Sequence, residues 1–191
     1  MNTIGIIGAM DEEVTLIKSA MNVKNTVEKA GCTFLSGTIE GKNAVVVRCG
    51  IGKVNAAMCT QILIDLFNVD AVINTGVAGA LADGITVGDV IVSKDALQHD
   101  MDCSPLGDPV GVIPRMKESV FKADERLMNA ALEASKKVID GRTALGRVVS
   151  GDQFIASMDI KNKLRDTFCG SCAEMEGAAI AHAAYLNHVP C

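Results

Sequence analysis

Short apolar runs alternate with amphipathic stretches along the chain, and this alternation predicts β-strands separated by α-helices. Residues 3–7 form a β-branched run typical of a buried strand, and residues 71–75 form a second one. Residues 33–39 and 44–48 lie on either side of the turn-rich tetrad EGKN, which predicts two paired strands. We expect further strands at residues 87–94, in a stretch that ends at 148–150, and at the start of CAEMEGAAIAHAAYL.

Helical periodicity fills the intervals between these runs. Residues 11–21 place Val14, Ile17 and Met21 on one face, and residues 124–139 begin with Asp-Glu and end near a Lys-Lys pair that matches the helix dipole. Further helices are expected after the glycine-rich GIGKVNAA, at residues 157–168 and in the Ala-rich last segment. Strands that alternate with helices predict one α/β domain built around a mostly parallel sheet.

The 191-residue chain is acidic and only 3% aromatic. Its formal net charge of −5 and the lack of a Lys/Arg cluster disfavour a nucleic-acid surface. No apolar run approaches the ~20 residues of a membrane span, and the N-terminus lacks the pattern of a signal peptide. We therefore expect a cytoplasmic protein that binds neither nucleic acid nor membranes.

Seven cysteines are scattered through apolar segments, and their odd number disfavours a disulfide framework. Cys169 and Cys172 have the spacing of a zinc or redox pair, but no second pair or histidine stands near them. We expect free thiols in the core and no metal site.

The informative residues follow the ends of the predicted strands. In α/β sheets, ligands bind outside the carboxyl ends of the strands, which here are residues 8–13, 50–53, 76–79, 150–155 and 174–176. None of these segments is a phosphate-binding Walker loop, and the acidic turn DEE after the first strand opposes a pyrophosphate.

Glu13 and Glu176 are the candidate catalytic or binding residues at these turns. One separated carboxylate can accept two hydrogen bonds from the cis-diol of a sugar, and the other can take a proton from a water that attacks an oxocarbenium-like carbon. An acidic helix start is also a common complement to the helix dipole, so this alternative stays open. His99 and Asp100 are not expected to pair, because adjacent residues of a strand point to opposite faces, and His182 is expected to pack inside a helix.

Six segments in order resemble one known family: IGIIGAMDEEV, GIGKVNAA, INTGVAGAL, VGDVIVS, VSGDQFI and AEMEGAAIAH. Together they are similar to 5′-methylthioadenosine/S-adenosylhomocysteine nucleosidase, of the purine nucleoside phosphorylase-like superfamily, from residue 4 to the end of the chain. The resemblance implies a three-layer α/β/α fold with a central mixed, mostly parallel sheet. It also implies hydrolysis of the N-glycosidic bond of 5′-thio-substituted adenosines to adenine and a thioribose, without metal or organic cofactor.

The resemblance also assigns site residues. It implies that Glu13 positions and deprotonates the attacking water and that Glu176 holds the ribose hydroxyls. The other substrate-binding positions that it implies are Met10, Ile51, Ala78, Gly79, Phe154, Ile155, Glu174 and Met175. Val77 stands where the family commonly has a small hydroxyl residue.

A homodimer is a further implication of the resemblance. In that family a loop of the partner closes the pocket for the 5′ group, and it matches Cys103, Leu106 and Pro114 here. In the related phosphorylases the first strand-to-helix turn cradles phosphate. Because this turn carries three carboxylates here, we expect it to exclude the phosphate dianion and to favour an activated water.

Two alternatives remain at this point. The chain could be a purine nucleoside phosphorylase or another purine nucleosidase, or it could be an inactive nucleoside-binding remnant. The second alternative arises because the family's general acid, an Asp on a later strand, has no match up to Cys191, and Asp152 is the nearest carboxylate. On this ground we expect residues 1–191 to be a C-terminally incomplete nucleosidase domain that is poorly stable and nearly inactive as it stands.

Overall fold

The first part of the chain builds a five-stranded mixed sheet. The computed structural model describes residues 3–191. In chain order the strands of this sheet are β1 (Thr3–Gly8), β2 (Asn22–Lys29), β3 (Cys32–Ile39), β4 (Lys42–Arg48) and β5 (Ala71–Asn74). In space the order is β2-β3-β4-β1-β5, with β1 parallel to both β4 and β5. The three parallel strands therefore end at the same edge of the sheet.

A second five-stranded mixed sheet follows within the described part of the chain. Its strands are β6 (Gly79–Ala80), β7 (Val90–Gln98), β8 (Val120–Lys122), β9 (Thr143–Ser150) and β10 (Cys172–Glu174). The spatial order is β6-β10-β9-β7-β8, and β9 runs parallel to both β7 and β10. In this sheet the parallel strands lie in the middle and the antiparallel pairs lie outside, whereas in the first sheet the antiparallel pairs lie on one side and the parallel strand β5 forms the opposite edge.

Helices cover both faces of the first sheet. The helices are α1 (Asp11–Ser19), α2 (Lys53–Phe67), α3 (Glu125–Val138), α4 (Met158–Phe168) and α5 (Gly177–Leu186), and a 3₁₀ turn spans Ser104–Leu106. Val45 and Val47 of β4 share a core with Leu63 of α2, whereas Val46 shares one with Val14 of α1. Because successive side chains of a strand point to opposite faces, α1 and α2 form two layers with the sheet between them. The three-layer α/β prediction is confirmed.

Helix α5 connects the two sheets. It contacts α2 and β5 on one side and β7, β8 and β9 on the other. Ala178, Ala179 and Ala184 are buried along it, and such small side chains allow close approach of neighbouring elements. Glu176 immediately precedes this helix, so its carboxylate lies where the two sheets meet.

The main sequence predictions of individual elements hold, but strands β2, β6 and β8 were not predicted. Strands β1 and β5, the antiparallel pair β3–β4 and helix α3 are confirmed to within two residues. The helix predicted over 11–21 ends at Ser19 instead, because β2 begins at Asn22. Strand β2 carries almost only exposed, polar residues, so it shows no apolar alternation, and it exists by pairing with β3. Strand β7 begins three residues later than predicted.

Helix length and polarity also bear on membranes. Among residues 3–191, no helix is both long enough and apolar enough to cross a bilayer.

Candidate active site

Five strand-end turns converge on one cavity. Its volume is about 520 Å³, within the range of small-molecule sites. The sequence-predicted residues that line it are Met10, Glu13, Ile51, Ala78, Gly79, Phe154, Ile155, Glu174, Met175 and Glu176. The convergence follows from topology, because the parallel strands β1, β4 and β5 of one sheet and β9 and β10 of the other end at this cavity.

Glu13 is fixed by backbone N–H groups from two separate turns. One carboxylate oxygen, Oε2, accepts hydrogen bonds from the N–H of Ala9 at 2.7 Å and of Met10 at 3.0 Å. The other oxygen, Oε1, accepts from the N–H of Val77 at 2.9 Å, in the turn after β5. A carboxylate offers about four lone-pair positions, so roughly one remains for a ligand or a water in the cavity.

This arrangement starts from a local feature of α1. Glu13 is the third residue of the helix, and its side chain reaches back to the N–H of Met10 at the N-cap, as a capping-box glutamate does. Glu13 therefore does cap the helix start, as the alternative from the sequence proposed. The bond from Val77 is not part of helix capping, and it fixes the carboxylate in one orientation relative to the cavity.

Glycine at position 76 makes room for this carboxylate. A Cβ atom there would lie 2.5 Å from Glu13 Oε1 and 2.9 Å from its carboxyl carbon. Gly79, at the other end of the same turn, is different, because a Cβ there would meet only the carbonyl oxygen of Ala173 at 3.8 Å. The close approach of the Glu13 carboxylate to the backbone thus explains the glycine at position 76.

Glu176 is a buried carboxylate in the same cavity. Only 9% of the residue is exposed, and its Oε1 accepts a hydrogen bond of 2.6 Å from the N–H of Gly52, at the start of α2. Burial raises the pKa of this carboxyl, and the charges of Glu13 and Asp152 act in the same direction. An ionised Glu176 is therefore a costly but strong acceptor that faces a largely apolar space.

Glu174 also lines the cavity, but its oxygens are occupied by the protein. They accept hydrogen bonds from the Ser150 hydroxyl, from the N–H of Glu176 at 2.9 Å and from the N–H of Gly177 at 2.6 Å. Burial raises the pKa of this carboxyl despite the three donors. Glu174 thus fixes the backbone that carries Glu176, and its predicted direct contact with substrate stays a prediction.

The remaining walls are apolar and partly open to solvent. Phe154 is 87% exposed, Val77 70% and Ile51 54%. Met10 and Met175 lie beside the two carboxylates, as the sequence order requires. A flat, apolar wall with two carboxylates is suited to a ligand that joins an aromatic base to a polyol.

Three predicted residues lie outside this cavity. Cys103, Leu106 and Pro114 belong to the segment after β7, and none of them lines the cavity of their own chain. Leu106 is 82% exposed. Their role in closing the pocket of a partner stays a prediction.

The histidines have no part in the cavity. Within residues 3–191, His99 is buried, its Nε2 has no hydrogen-bond partner, and its side chain makes no hydrogen bond to Asp100. His182 stacks on Phe121 with ring centroids 4.7 Å apart, which agrees with its predicted packing role. The part of the chain that the structure describes holds no group of three metal-ligating side chains, and its cysteines are free.

Sequence reasoning missed the polar residues behind the cavity. Lys53 lies 2.6 Å from Asp100, and the Asp152 carboxylate accepts a hydrogen bond of 2.8 Å from the N–H of Lys53. Asp152 therefore binds the start of α2 and does not line the cavity. A lysine at the first position of an otherwise apolar helix was the one available signal, because it places a cation where the dipole disfavours it.

Comparisons with known proteins agree with this geometry. The family model described as "Phosphorylase superfamily" matches residues 3–191. The chain is 41% identical to a 5′-methylthioadenosine/S-adenosylhomocysteine nucleosidase of Oceanobacillus iheyensis, over 98% of this chain and 82% of that protein. It is 42% identical to the protein of the same name from Halalkalibacterium halodurans, over 100% of this chain and 82% of that one.

Solved structures are similar over the whole chain as well. A nucleosidase of the same name from Neisseria meningitidis, in complex with methylthio-immucillin-A, superposes with a TM-score of 0.94 at 36% identity, covering 100% of this chain and 82% of that one. A futalosine hydrolase of Helicobacter pylori superposes with a TM-score of 0.93 at 34% identity, covering 100% of this chain and 81% of that one.

Substitution of Gly76 by alanine is expected to displace Glu13. The new Cβ would lie 2.5 Å from Glu13 Oε1, so the bond from the Val77 N–H has to break. We expect the free energy of unfolding in urea to fall by about 1–3 kcal/mol, the cost of leaving a polar group unpaired. The matched control is Gly79→Ala, which should change stability by less than about 0.5 kcal/mol. Equal stability of the two variants would show that Glu13 is not confined by the turn.

Proposed function

Because the chain belongs to the 5′-methylthioadenosine/S-adenosylhomocysteine nucleosidase family within the phosphorylase superfamily, we propose that it hydrolyses the N-glycosidic bond of these 5′-thio-adenosines with Glu13 as the general base. A water oxygen attacks C1′ of the ribose and gives a proton to Glu13. The bond from C1′ to adenine breaks, and adenine keeps the electron pair and takes up a proton from water. The observation that carries this proposal is the Glu13 carboxylate, held by three N–H groups in the cavity.

The same hydrogen bonds support hydrolysis over phosphorolysis. The N–H groups of Ala9, Met10 and Val77 would be natural donors to a phosphate, yet each already donates to Glu13. Asp11 and Glu12 add negative charge to the same turn. A phosphate dianion would therefore be repelled by these carboxylates and would find these three N–H donors already occupied. A neutral water is not repelled and can donate a hydrogen bond to Glu13.

Glu176 is proposed to bind the ribose. One of its oxygens accepts from the Gly52 N–H, and its buried position leaves the remaining acceptor capacity for hydroxyl groups in the cavity. Phe154 is proposed to stack on the adenine ring, and the backbone around Ile155 to contact its edge. Met10 and Ile51 are proposed to face the 5′ group, with Ala78, Gly79 and Met175 beside the purine and sugar.

Futalosine is a second candidate substrate. The futalosine hydrolase structure is nearly as similar in fold as the first nucleosidase, with TM-scores of 0.93 and 0.94. The choice is decided by comparing base release from methylthioadenosine with base release from futalosine. We propose the first, because the relatives with about 40% identity carry the name 5′-methylthioadenosine/S-adenosylhomocysteine nucleosidase.

We propose a homodimer because the open side of the cavity exposes apolar side chains that a second copy of the chain could cover. Ile51, Val77 and Phe154 expose large apolar surfaces there, and a contiguous apolar surface of this kind is commonly covered by a partner. Leu106 is equally exposed on the segment that the family resemblance assigns to the partner's pocket. The cytoplasmic location expected from the sequence also stays a prediction.

Replacement of Glu13 by glutamine is expected to abolish most of the activity of the full-length protein. Loss of a general base typically reduces the rate by roughly 10²–10⁴-fold, and the NH₂ group of a glutamine also cannot accept the N–H hydrogen bonds that one carboxylate oxygen of Glu13 accepts. Adenine release from methylthioadenosine measures the effect, with Glu12→Gln, an exposed neighbour, as the control. If the two variants lost activity equally, Glu13 would not be the base.

Replacement of Glu176 by glutamine is expected to weaken nucleoside binding and to change its pH dependence. The ionised carboxylate is the better acceptor, so the affinity of the native protein should fall as the pH falls through the raised pKa of Glu176. The variant should bind a neutral 5′-thio-adenosine analogue about 1.5–3 kcal/mol more weakly at neutral pH, with a flatter pH profile. Isothermal titration calorimetry between pH 4.5 and 8 provides the measurement.

Stability provides the control for this variant. A carboxyl whose pKa is raised in the folded state contributes stability below its unfolded pKa, and this contribution is lost as the pH rises through the folded pKa. A glutamine cannot ionise, so Glu176→Gln should be no less stable than the native protein at neutral pH. Lower stability together with unchanged affinity would identify Glu176 as a structural residue only.

The dimer is expected to depend on Leu106. We expect light scattering of the native protein at micromolar concentration to give twice the chain mass, and Leu106→Asp to shift the protein towards the monomer because it places a charge in an apolar contact. Leu16→Asp is the matched control, since Leu16 on α1 is 81% exposed and Leu106 is 82% exposed. A monomeric native protein would contradict the proposal.

A further inference from the structure

We propose that Asp100 is a positioning residue for the nucleoside site, because its carboxylate joins the turn before α2 to the loop after β9. This inference rests on the proposed function. The turn at residues 50–53 supplies the donor to Glu176, and the loop at residues 151–155 supplies Phe154. Asp100 does not line the cavity, so it acts through these two segments.

Each carboxylate oxygen of Asp100 binds a different one of the two segments. Oδ1 accepts a hydrogen bond of 2.6 Å from the Lys53 ammonium group, and Oδ2 accepts one of 2.9 Å from the N–H of Asp152. The Lys53 and Asp100 side chains are only 18% and 15% exposed. A pair with so little access to water is less screened than a surface ion pair.

The carboxylate of Asp152 makes a second bond between the same two segments, from the loop after β9 to the start of α2. Asp152 Oδ1 accepts from the backbone N–H of Lys53 at 2.8 Å. Each segment therefore receives a carboxylate contact: Asp100 holds the backbone of Asp152 and Asp152 holds the backbone of Lys53. We call Lys53, Asp100 and Asp152 together the clasp.

The clasp lies one peptide unit from the proposed ribose contact. The N–H of Gly52, next to that of Lys53, donates to Glu176 at 2.6 Å. Gly52 has φ of +100°, a conformation open to glycine, and a Cβ there would lie 3.1 Å from Asp152 Oδ1. The orientation of the Gly52 N–H is thus set between the Asp152 carboxylate and Glu176.

Further polar contacts fix the side chain of Lys53. Gln98 Oε1 accepts a hydrogen bond of 3.1 Å from the Lys53 ammonium group, and Gln98 Nε2 lies 3.1 Å from His182 Nδ1. His182 is in turn stacked on Phe121. Burial tends to raise the pKa of Asp100, but the hydrogen bonds from Lys53 and Asp152 outweigh it and lower that pKa, so Asp100 is ionised at neutral pH.

The chain contains a matched pair for comparison. Asp95 and Arg147 are also 2.6 Å apart, with side chains 13% and 24% exposed, and they join β7 to β9 away from the cavity. Asp95→Asn and Asp100→Asn remove one negative charge from equally short, equally buried ion pairs. A purely structural role for Asp100 predicts similar effects of the two changes.

Hydrogen exchange tests the geometry without any ligand. In the full-length protein, Asp100→Asn should speed amide exchange in peptides that cover residues 50–53 and 151–155, because an asparagine has one acceptor oxygen for two donors. Asp95→Asn should leave these peptides protected. Lys53→Gln provides a second variant that breaks the same connection if Asp100→Asn does not fold. Unchanged exchange in the folded clasp variants would overturn the proposal.

Calorimetry with a non-hydrolysable 5′-thio-adenosine analogue tests the consequence. We expect Asp100→Asn to weaken binding by roughly tenfold or more, as misplacement of binding groups does, and Asp95→Asn to weaken it less than twofold. In a Glu176→Gln background the effect of Asp100→Asn should shrink, because the two residues act through the same segment. Equal losses for Asp95 and Asp100, or fully additive effects with Glu176, would overturn the positioning role.

The two measurements separate this inference from the proposed function. If the native protein bound no nucleoside, the proposed function would fail, and the exchange data would still decide whether Asp100 holds the two segments. If exchange increased in Asp100→Asn while nucleoside affinity stayed at the native value, the function would stand and the positioning role would be wrong.

Discussion

The site depends on one interaction, the hydrogen bonding of the Glu13 carboxylate by backbone N–H groups from two strand ends. Ala9 and Met10 follow β1, and Val77 follows β5, so the three donors are in place only when these parallel strands are paired in register. The side chain itself starts from the first turn of α1. Sheet pairing, helix capping and the orientation of the Glu13 carboxylate therefore depend on one another.

A second constraint comes from the junction between the two sheets. Helix α5 packs against elements of both, and the carboxylates of Glu174 and Glu176 lie buried at its start. Glu174 is satisfied by three protein donors, whereas Glu176 accepts from the Gly52 N–H and faces the cavity. The two neighbouring glutamates thus have different roles. Glu174 fixes the backbone at the start of α5, and Glu176 keeps acceptor capacity for a ligand at a cost in stability.

Much of this could be predicted from the sequence, for identifiable reasons. Apolar periodicity located β1, β5, the β3–β4 pair and α3, and the glycine- and acid-bearing strand ends indicated that Glu13 and Glu176 lie near one site, where both line the cavity. Strand β2 could not be predicted, because its residues are exposed and its pairing depends on β3. The clasp was also missed, since contacts between Lys53 and residues 47 and 99 positions away follow from tertiary structure alone.

The central claim is that this strand-end site uses Glu13 to activate water and excludes phosphate. Phosphorus NMR of the reaction of the full-length protein with methylthioadenosine in phosphate buffer tests it most directly, with adenine release followed in parallel. The account predicts that adenine forms while inorganic phosphate remains the only phosphorus signal, because the sugar is released as the free thioribose. A sugar 1-phosphate signal that grows in proportion to adenine would contradict it.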